Sequence, residues 1–341
     1  MRVKSKKISV PTVYDVAELA GVSPSTVSRF LNRTTFVAPD KSQLIENAIS
    51  TLGYKPSTRQ GAKSVTRSMT LGVLIQSAES PFSSEILYGM EKAVTSRGYN
   101  LLIATGYWNN EAETKAMDKL IAQKVDGIMT LTGTLSDEQV NRYATSKPIV
   151  AIGRSMEGKN VTSIKVDNSI GAYMATNHLI QQGHSRIVHL QGIVSHSDAQ
   201  QRLEGYKRAL TDAGLPINER LIRRGEFEMK DSFDAVTRLI KEKQPFSAIF
   251  AANDQSAYGA MQALYQHGIR VPAQVSVVGF DDLILSSYFI PPLTTVKQPL
   301  EGIGQAAVFT LLDLINGNNQ AHRVPPVELK VRDSTAPFSI S

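Results

Sequence analysis

The feature that most constrains the fold is a regular alternation of short apolar runs with longer amphipathic stretches from Thr70 onward. Apolar runs typical of strands occupy 71–75, 100–104, 127–131, 148–152, 161–166, 186–190, 247–251 and 275–280. Amphipathic stretches typical of helices occupy 84–97, 111–123, 171–182, 199–213, 230–242 and 254–267. This alternation predicts parallel sheets covered by helices on both faces. Because so many strands suit two sheets better than one, we expect two similar doubly wound subdomains, completed by 293–296, 301–315 and 327–331.

The first sixty residues follow a different pattern, one of short helices. Thr12 is a candidate cap for a first helix, which Gly21 is expected to end. A second helix is expected to begin at Pro24 with Ser23 as its cap, and a third to cover Pro39–Leu52. Two short helices joined by a tight turn predict a helix-turn-helix, whose second helix presents small or polar side chains to the DNA major groove.

Basic residues are concentrated in the same segment. Residues 1–68 contain 11 Lys and Arg against 4 Asp and Glu, whereas the rest of the chain contains 26 against 27. A basic excess confined to one small segment indicates a polyanionic partner. On the second helix, Arg29 can bond guanine in a bidentate manner, and Ser25, one turn away, can contact a base or a phosphate. We expect contacts with double-stranded DNA from Thr12, Tyr14, Ser23, Pro24, Ser25, Thr26, Ser28, Arg29, Asn32, Tyr54 and Lys63.

Four ordered blocks resemble the lactose-repressor (LacI/GalR) family, and the resemblance extends over essentially the whole chain. The blocks are "TVYDVAELAGVSPSTVSRFLNRTTFVAPDKSQLIENAISTLGYKPS", "DNSIGAYMATNHLIQQGHSRIVHLQG", "AANDQSAYGAMQALYQHGIRVPAQVSVVGFDD" and "IPPLTTVKQPLEGIGQAA". The resemblance implies an α/β chain with an all-α helix-turn-helix domain at 10–56, a linker at 57–69 and a periplasmic-binding-protein-like effector domain at 70–341. The effector domain is expected to contain an N-subdomain (about 70–164 and 297–322) and a C-subdomain (about 165–296 and 323–341).

The resemblance also implies a function. It predicts a ligand-responsive transcription regulator that acts as a homodimer and reads a pseudo-palindromic operator. The linker departs from the family pattern, because Lys63 stands where relatives place a leucine that wedges into the minor groove. A lysine cannot act as an apolar wedge, although it can reach phosphates. We therefore expect a smaller operator bend, measurable by gel phasing, or a wedge formed by another residue such as Val65.

Ligand-binding residues are expected at the carboxyl ends of the strands, where ligands bind in folds of this class. By position in the matching family motifs, these residues are Phe82, Arg154, Arg202, Phe227, Asn253, Asp281 and Gln298. Carboxylate, amide and guanidinium groups around an aromatic ring suit a neutral polyhydroxylated ligand. Together with the resemblance, this ligand class implies a repressor of sugar-utilisation genes. A purine or a sugar phosphate is the alternative ligand.

Structural roles are the alternatives for several of these side chains. Arg202 and Asp281 could form an ion pair, Phe227 could belong to the core, and Asn253 could occupy a turn. Asp254 is expected to cap the helix that follows it.

An enzyme is the main alternative by class. The only G-x-G-x-x-A match begins at Gly302 and opens a late helix, without the following strand and acidic residue of a dinucleotide site. We therefore expect it to serve close helix packing. With no cysteine and no H-E-x-x-H among the six histidines, we expect neither a catalytic metal nor a cofactor. His184 is expected at the surface or at a helix cap.

A periplasmic sugar-binding protein of a transport system is the second alternative. It would share the effector domain, but it would need a signal peptide and would lack residues 12–60. The sequence contains no apolar run of roughly 18 residues, so no membrane-spanning helix is expected. We expect a cytoplasmic, nucleoid-associated protein. Because no leucine heptad follows the last strand, we expect a dimer rather than a tetramer.

Overall fold

The structure, a computed structural model, describes residues 11–32, 37–54 and 67–339. The chain divides into two compact units, Met1–Thr66 and Arg67–Ser341. Lys63 and Val65 lie outside the described residues, as does the side chain of Asn32.

The first unit contains three short helices around a small apolar core. They are α1 (Val13–Ala20), α2 (Pro24–Asn32) and α3 (Pro39–Leu52). Gly21 and Gly53, both left-handed, follow α1 and α3 and donate to carbonyls of the last turn. Each helix contributes one fully buried aliphatic side chain: Val16, Val27 and Ile45. The predicted helix-turn-helix is thus confirmed.

The second unit contains two separate sheets. The first has the order β2-β1-β3-β4-β5 and is parallel throughout. Its strands are Thr70–Ile75 (β1), Asn100–Thr105 (β2), Gly127–Leu131 (β3), Ile149–Ile152 (β4) and Val161–Ile164 (β5). The second sheet has the order β11-β10-β9-β8-β6-β7 and is parallel except for β11. Its strands are Ile187–Gln191 (β6), Ile222–Arg224 (β7), Ala248–Ala251 (β8), Ser276–Asp281 (β9), Thr294–Lys297 (β10) and Glu328–Lys330 (β11).

Helices cover both faces of each sheet. Those of the first sheet are Pro81–Thr95 (α4), Asn110–Ala122 (α5), Asp137–Ala144 (α6) and Leu300–Ile315 (α11). Those of the second sheet are Asn168–Gln181 (α7), Ser197–Asp212 (α8), Met229–Lys241 (α9) and Asp254–Gln266 (α10). Successive strand residues such as Val73 and Leu74 point into apolar cores on opposite faces. The two predicted doubly wound subdomains are confirmed.

The chain crosses between the two sheets three times. It passes from β5 to α7, from β10 to α11, and from α11 back to β11. We call the first sheet with its helices the N-subdomain and the second sheet with its helices the C-subdomain. Short 3-10 helices cover Glu219–Leu221 and Ile284–Ser287. None of the helices in the described residues has the length and apolar character that crossing a membrane requires.

Two elements were not predicted from the sequence. Helix α6 has eight residues and buries only Val140 and Ala144, so its apolar periodicity is weak. Strand β7 has three residues, two of them arginines, and lies at the edge of its sheet. An edge strand leaves one side open to solvent, and it therefore lacks the apolar run that reveals a buried strand.

The glycine-rich match at the start of α11 packs against another helix, as predicted. A Cβ atom on Gly304 would overlap the carbonyl oxygen of Ile86 in α4, and one on Gly89 would overlap the carbonyl of Glu301. The two backbones meet closely because neither glycine carries a side chain. A Cβ atom on Gly302 would make only ordinary van der Waals contacts. Of the two glycines in the motif, only Gly304 must therefore lack a side chain.

The expectation for His184 is wrong, because the side chain is buried. Its Nδ1 lies 3.0 Å from the hydroxyl oxygen of Ser247, and its Nε2 lies 3.0 Å from that of Ser276. These serines precede β8 and begin β9. The imidazole therefore joins α7 to two strands of the C-subdomain, a structural role that its local sequence does not reveal.

Candidate nucleic-acid interface and ligand cleft

Helix α2 of the first unit has two distinct faces. Val27 is buried, and Phe30 and Leu31 pack against the core. Ser25 and Arg29, one helical turn apart, are exposed. This separation leaves a guanidinium and a hydroxyl on the open face, the groups that read base edges and phosphates in a major groove.

The N-terminus of α2 carries a cluster of three hydroxyls. The hydroxyl oxygen of Ser23 accepts a hydrogen bond from the backbone N–H of Thr26 (3.2 Å), which is the predicted cap. The same oxygen lies 2.7 Å from that of Ser25 and 2.8 Å from that of Thr26. Pro24 occupies the first helical position. Hydroxyls and free N–H groups at a helix N-terminus form a favourable site for a phosphate.

The remaining predicted DNA contacts of this unit differ in exposure. Thr12 donates from its backbone N–H (2.6 Å) and its hydroxyl (2.7 Å) to the carboxylate of Asp15, and these bonds lower the pKa of Asp15. Tyr14 is 74% exposed and stands free for a partner. Tyr54 is half-buried and packs against the small core, and Ser28 is partly buried on α2.

The second unit contains a cavity of about 240 Å³ where the carboxyl ends of the two sheets face each other. Five predicted ligand residues line it: Phe82, Arg202, Phe227, Asn253 and Asp281. Gln298 lines a small adjoining space, together with Phe82 and Arg202. Six of the seven predicted side chains are thus brought together, and Arg154 lies apart from them.

Arg202 is a buried guanidinium held from several sides. Its Nε donates to the Asn168 amide oxygen (2.9 Å), and its Nη1 donates to the Ala252 carbonyl. The guanidinium carbon lies 3.8 Å from the centroid of the Phe280 ring. Nη1 is 3.9 Å from Asp281 Oδ1, which is a loose ion pair without a direct hydrogen bond.

Asp281 ends β9 in a left-handed backbone conformation (φ 125°) and is buried. Its Oδ1 accepts from the side-chain amide of Gln298 (2.7 Å), whereas Oδ2 has no hydrogen-bond partner within the described part of the chain. Burial raises the pKa of Asp281, and the Arg202 guanidinium opposes that rise. Asp281 lines the cavity, so a carboxylate oxygen without a protein partner is accessible there and is suited to accept from a ligand hydroxyl.

The expected role of Asp254 is corrected, whereas Asn253 both lines the cavity and caps a helix. Asn253, not Asp254, caps α10, because its amide oxygen accepts from the backbone N–H of Ser256 (2.9 Å). Asp254 is fully buried and accepts from the Leu283 N–H (2.8 Å) and the hydroxyls of Ser286 and Thr295 (both 2.5 Å). Burial raises the pKa of Asp254 to about 6. Asp254 therefore joins α10 to the segment between β9 and β10.

Phe227 provides the aromatic wall of the C-subdomain. Its backbone is left-handed (φ 63°), and its ring covers Gly192 so closely that a Cβ there would overlap it. The Asn253 side-chain amide donates to the Phe227 carbonyl (3.0 Å) and fixes the loop. The ring is only partly buried, so it forms a wall of the cavity rather than part of the core.

An aromatic contact that was not predicted from the sequence bridges the two subdomains. Trp108, the only tryptophan in the chain, follows β2, and its ring centroid lies 4.4 Å from that of His196, which follows β6. The backbone N–H of Trp108 donates to the side-chain oxygen of Gln76 (2.9 Å), which also lines the cavity. Both aromatic residues follow strand ends, so the rule that found Asp281 could have found them as well.

The main cavity is lined by more acidic than basic side chains. Four carboxylates besides Asp281 line it: Glu79, Asp198, Glu226 and Glu228. Arg202 is the only lysine or arginine among the lining residues that the structure describes. This excess of negative charge disfavours an anionic ligand.

Arg154 lines a second cavity of about 320 Å³, which His196 also lines. Its Nη1 donates to the Leu135 carbonyl (2.6 Å) and lies 3.8 Å from the Asp137 carboxylate. Arg154 therefore lines a neighbouring cavity rather than the space around the other six predicted ligand residues. The described residues contain no group of three or more His, Asp or Glu arranged to hold a metal ion.

Two family models match the chain and together cover most of it. Residues 12–57 match "Bacterial regulatory proteins, lacI family", and residues 68–332 match "Periplasmic binding proteins and sugar binding domain of LacI family". The first match covers the three helices of the first unit, and the second covers both sheets of the second unit.

Individual relatives agree over nearly their full lengths. The chain is 36% identical to the ribose operon repressor of Escherichia coli (strain K12), covering 89% of this chain and 93% of that one. The solved complex of the transcriptional regulator CelR with cellobiose has a TM-score of 0.71 at 31% identity, covering 95% and 99%. The lac repressor dimer bound to operator and an anti-inducer has the same score and identity, covering 96% and 100%.

Proposed function

The chain belongs to the LacI family of bacterial regulatory proteins, and we propose that it is a repressor whose operator binding is controlled by a neutral sugar. The first unit would read the operator through the exposed face of α2. The second unit would bind the sugar in the cleft between its two subdomains. We further propose that it works in the cytoplasm, where operator DNA is found, and catalyses no reaction.

The observation that carries the sugar proposal is the composition of the main cavity. Asp281 offers a carboxylate oxygen and Arg202 a guanidinium at the floor, and Phe227 offers a flat ring beside them. Sugars present hydroxyls that both donate and accept, together with an apolar C–H face that packs on aromatic rings. The surplus of carboxylates argues against a sugar phosphate, because its negative charge would meet like charges.

Two of the relatives support a sugar as the ligand. The ribose operon repressor is named for a sugar operon, and CelR was solved with the disaccharide cellobiose. The relatives are regulators rather than enzymes, and the one glycine-rich motif of this chain packs two helices together. These observations favour a sensor over a catalyst.

We predict that neutral sugars raise the melting temperature of the purified full chain and change its tryptophan emission. Trp108 is the sole tryptophan and lines the main cavity, so its fluorescence should report ligand entry. A ligand at a hundred times its Kd stabilises the folded state by about 2.7 kcal/mol. Stabilisation only by purines or sugar phosphates would replace the sugar proposal with the alternative ligand class.

We also propose a homodimer. Four large apolar side chains between β9 and β10 are mainly exposed: Ile284 (70%), Leu285 (53%), Tyr288 (76%) and Ile290 (94%). An apolar group of this kind on one surface is typical of an interface, and the solved lac repressor is described as a dimer.

The double variant Leu285→Asp, Tyr288→Asp is expected to sediment as a monomer at concentrations where the unchanged chain is a dimer. Two buried carboxylates in an apolar interface would each lack a partner, which is strongly unfavourable. Tyr265→Asp, at a residue 79% exposed on α10, is the matched control and should stay dimeric. Sedimentation velocity would measure all three, and a dimeric double variant would contradict the proposed interface.

A further inference from the structure

The second cavity is joined to the main one. Thr132, His196 and Asp198 line both spaces, so the two meet around these three residues. Their volumes are about 240 and 320 Å³. The main cavity alone is smaller than the roughly 300–1,000 Å³ of typical ligand sites, whereas the two together fall well within that range.

The second cavity is lined by a cation with unused hydrogen-bond donors. The Arg154 side chain is only 19% exposed, and the Leu135 carbonyl holds it through Nη1. Its Nε and Nη2 make no hydrogen bond within the described ranges. These donors are accessible from the cavity that Arg154 lines, so they are free to donate to a bound molecule. Arg154 is thus positioned beside an open space with donors available.

The carboxylates around Arg154 disfavour the binding of an anionic ligand in this cavity. Asp137, 3.8 Å away, and Asp198 line the same cavity, and no other lysine or arginine lines it in the part of the chain that the structure describes. The other lining side chains are polar and uncharged, among them Ser155, Ser197 and Gln201. A guanidinium balanced by carboxylates and surrounded by hydroxyls and an amide suits a neutral polyhydroxylated group.

We propose that the cleft has two sugar subsites and that its effector contains two sugar units. One unit lies in the main cavity beside Phe227 and Asp281, and the second lies in the Arg154 cavity, where the guanidinium donates to its hydroxyls. His196 and Asp198 face the link between the units, because they line both cavities. This inference rests on the proposed function and makes the effector a disaccharide, or a glycoside of similar length, rather than a monosaccharide.

The test is isothermal titration of the full-length chain with neutral disaccharides, including cellobiose, maltose, trehalose and lactose, and with their component monosaccharides. We expect at least one disaccharide to bind ten or more times as tightly as its monosaccharides. Arg154→Met should weaken that disaccharide by at least tenfold and change monosaccharide affinity by less than threefold. Gln201→Ala removes the amide of a half-buried residue that lines the same cavity, and it removes no buried charge. It should weaken disaccharide binding and leave monosaccharide binding unchanged.

The control is Arg142→Met, at an exposed arginine on α6 that does not line either cavity. It should leave both affinities unchanged. A monosaccharide that binds as tightly as every disaccharide, or variants that weaken both ligand classes alike, would overturn the second subsite and leave the proposed function standing. Binding of no neutral sugar at all would overturn the proposed function and the subsite with it.

Discussion

Asp281→Asn is expected to abolish the effect of the sugar on operator binding, while the ligand-free variant still binds its operator. Asp281 is a buried residue that lines the cavity beside the Arg202 guanidinium, and its Oδ2 has no protein partner within the described residues. A hydrogen bond to a charged group contributes about 1.5–3 kcal/mol. Its loss corresponds to a roughly 10- to 150-fold weaker sugar complex.

The substitution preserves the shape of the site, so the loss should be specific. Asn keeps an oxygen for the Gln298 amide, but it presents an N–H group where the ligand hydroxyl would donate. Asp282→Asn is the matched control, because Asp282 pairs with Arg332 (2.6 Å) and does not line the cavity. Titration of each variant with sugar, followed by Trp108 fluorescence, separates the two. Equal sugar affinity in Asp281→Asn and the unchanged chain would refute the assigned role.

Arg29→Ala is expected to abolish discrimination between the operator and unrelated DNA, while sugar binding and folding remain intact. Arg29 is exposed on α2, so its removal leaves no cavity and no unpaired buried group. A bidentate arginine–guanine contact contributes about 1–3 kcal/mol of base discrimination. The preference for the operator should therefore fall by about 5- to 150-fold for each half-site.

The experiment must distinguish a weaker affinity for all DNA, caused by the lost charge, from a lost preference for the operator sequence. Lys41→Ala removes one exposed positive charge from α3 of the same unit and serves as the control. It is expected to weaken binding to all DNA similarly, because phosphate contacts carry no sequence information. Fluorescence anisotropy with operator and scrambled duplexes at two salt concentrations measures both effects. An unchanged operator preference in Arg29→Ala would show that another residue reads the sequence.

The parts of the fold that follow from local sequence could be predicted. The helices of the first unit begin and end at residues with strong cap preferences, such as Ser23 and Gly53, and these local rules hold. The strands of the two sheets are apolar because they are buried, and this makes them visible in the sequence. Helix α6 and strand β7 were missed because neither buries enough apolar surface to show a period.

The burial of polar residues could not be predicted from nearby sequence, because their hydrogen-bond partners are distant in the chain. His184 contacts serines 63 and 92 positions away, and Asp254 contacts residues 29 to 41 positions away. From sequence neighbours alone both residues looked like surface or cap residues. Only the packing of strands around them supplies the hydrogen bonds that make burial tolerable.

The candidate site shows the same division. Residues of the C-subdomain floor, such as Arg202 and Asp281, could be placed by motif and by their position at strand ends. The Trp108–His196 contact joins loops from opposite subdomains, and the cavity in front of Arg154 exists only where those loops meet. A sequence predicts which residues follow each strand, but it does not predict how two subdomains shape the space between them.

The central claim is that sugar in the cleft and operator on the first unit are energetically coupled. Its most direct test is the operator affinity of the full chain, measured by anisotropy with and without a saturating sugar that binds in the cleft. Coupling of about 1–3 kcal/mol predicts a roughly 5- to 150-fold change in operator Kd, and linkage requires the operator to change the sugar Kd by the same factor. The same operator Kd with and without bound sugar would contradict the account.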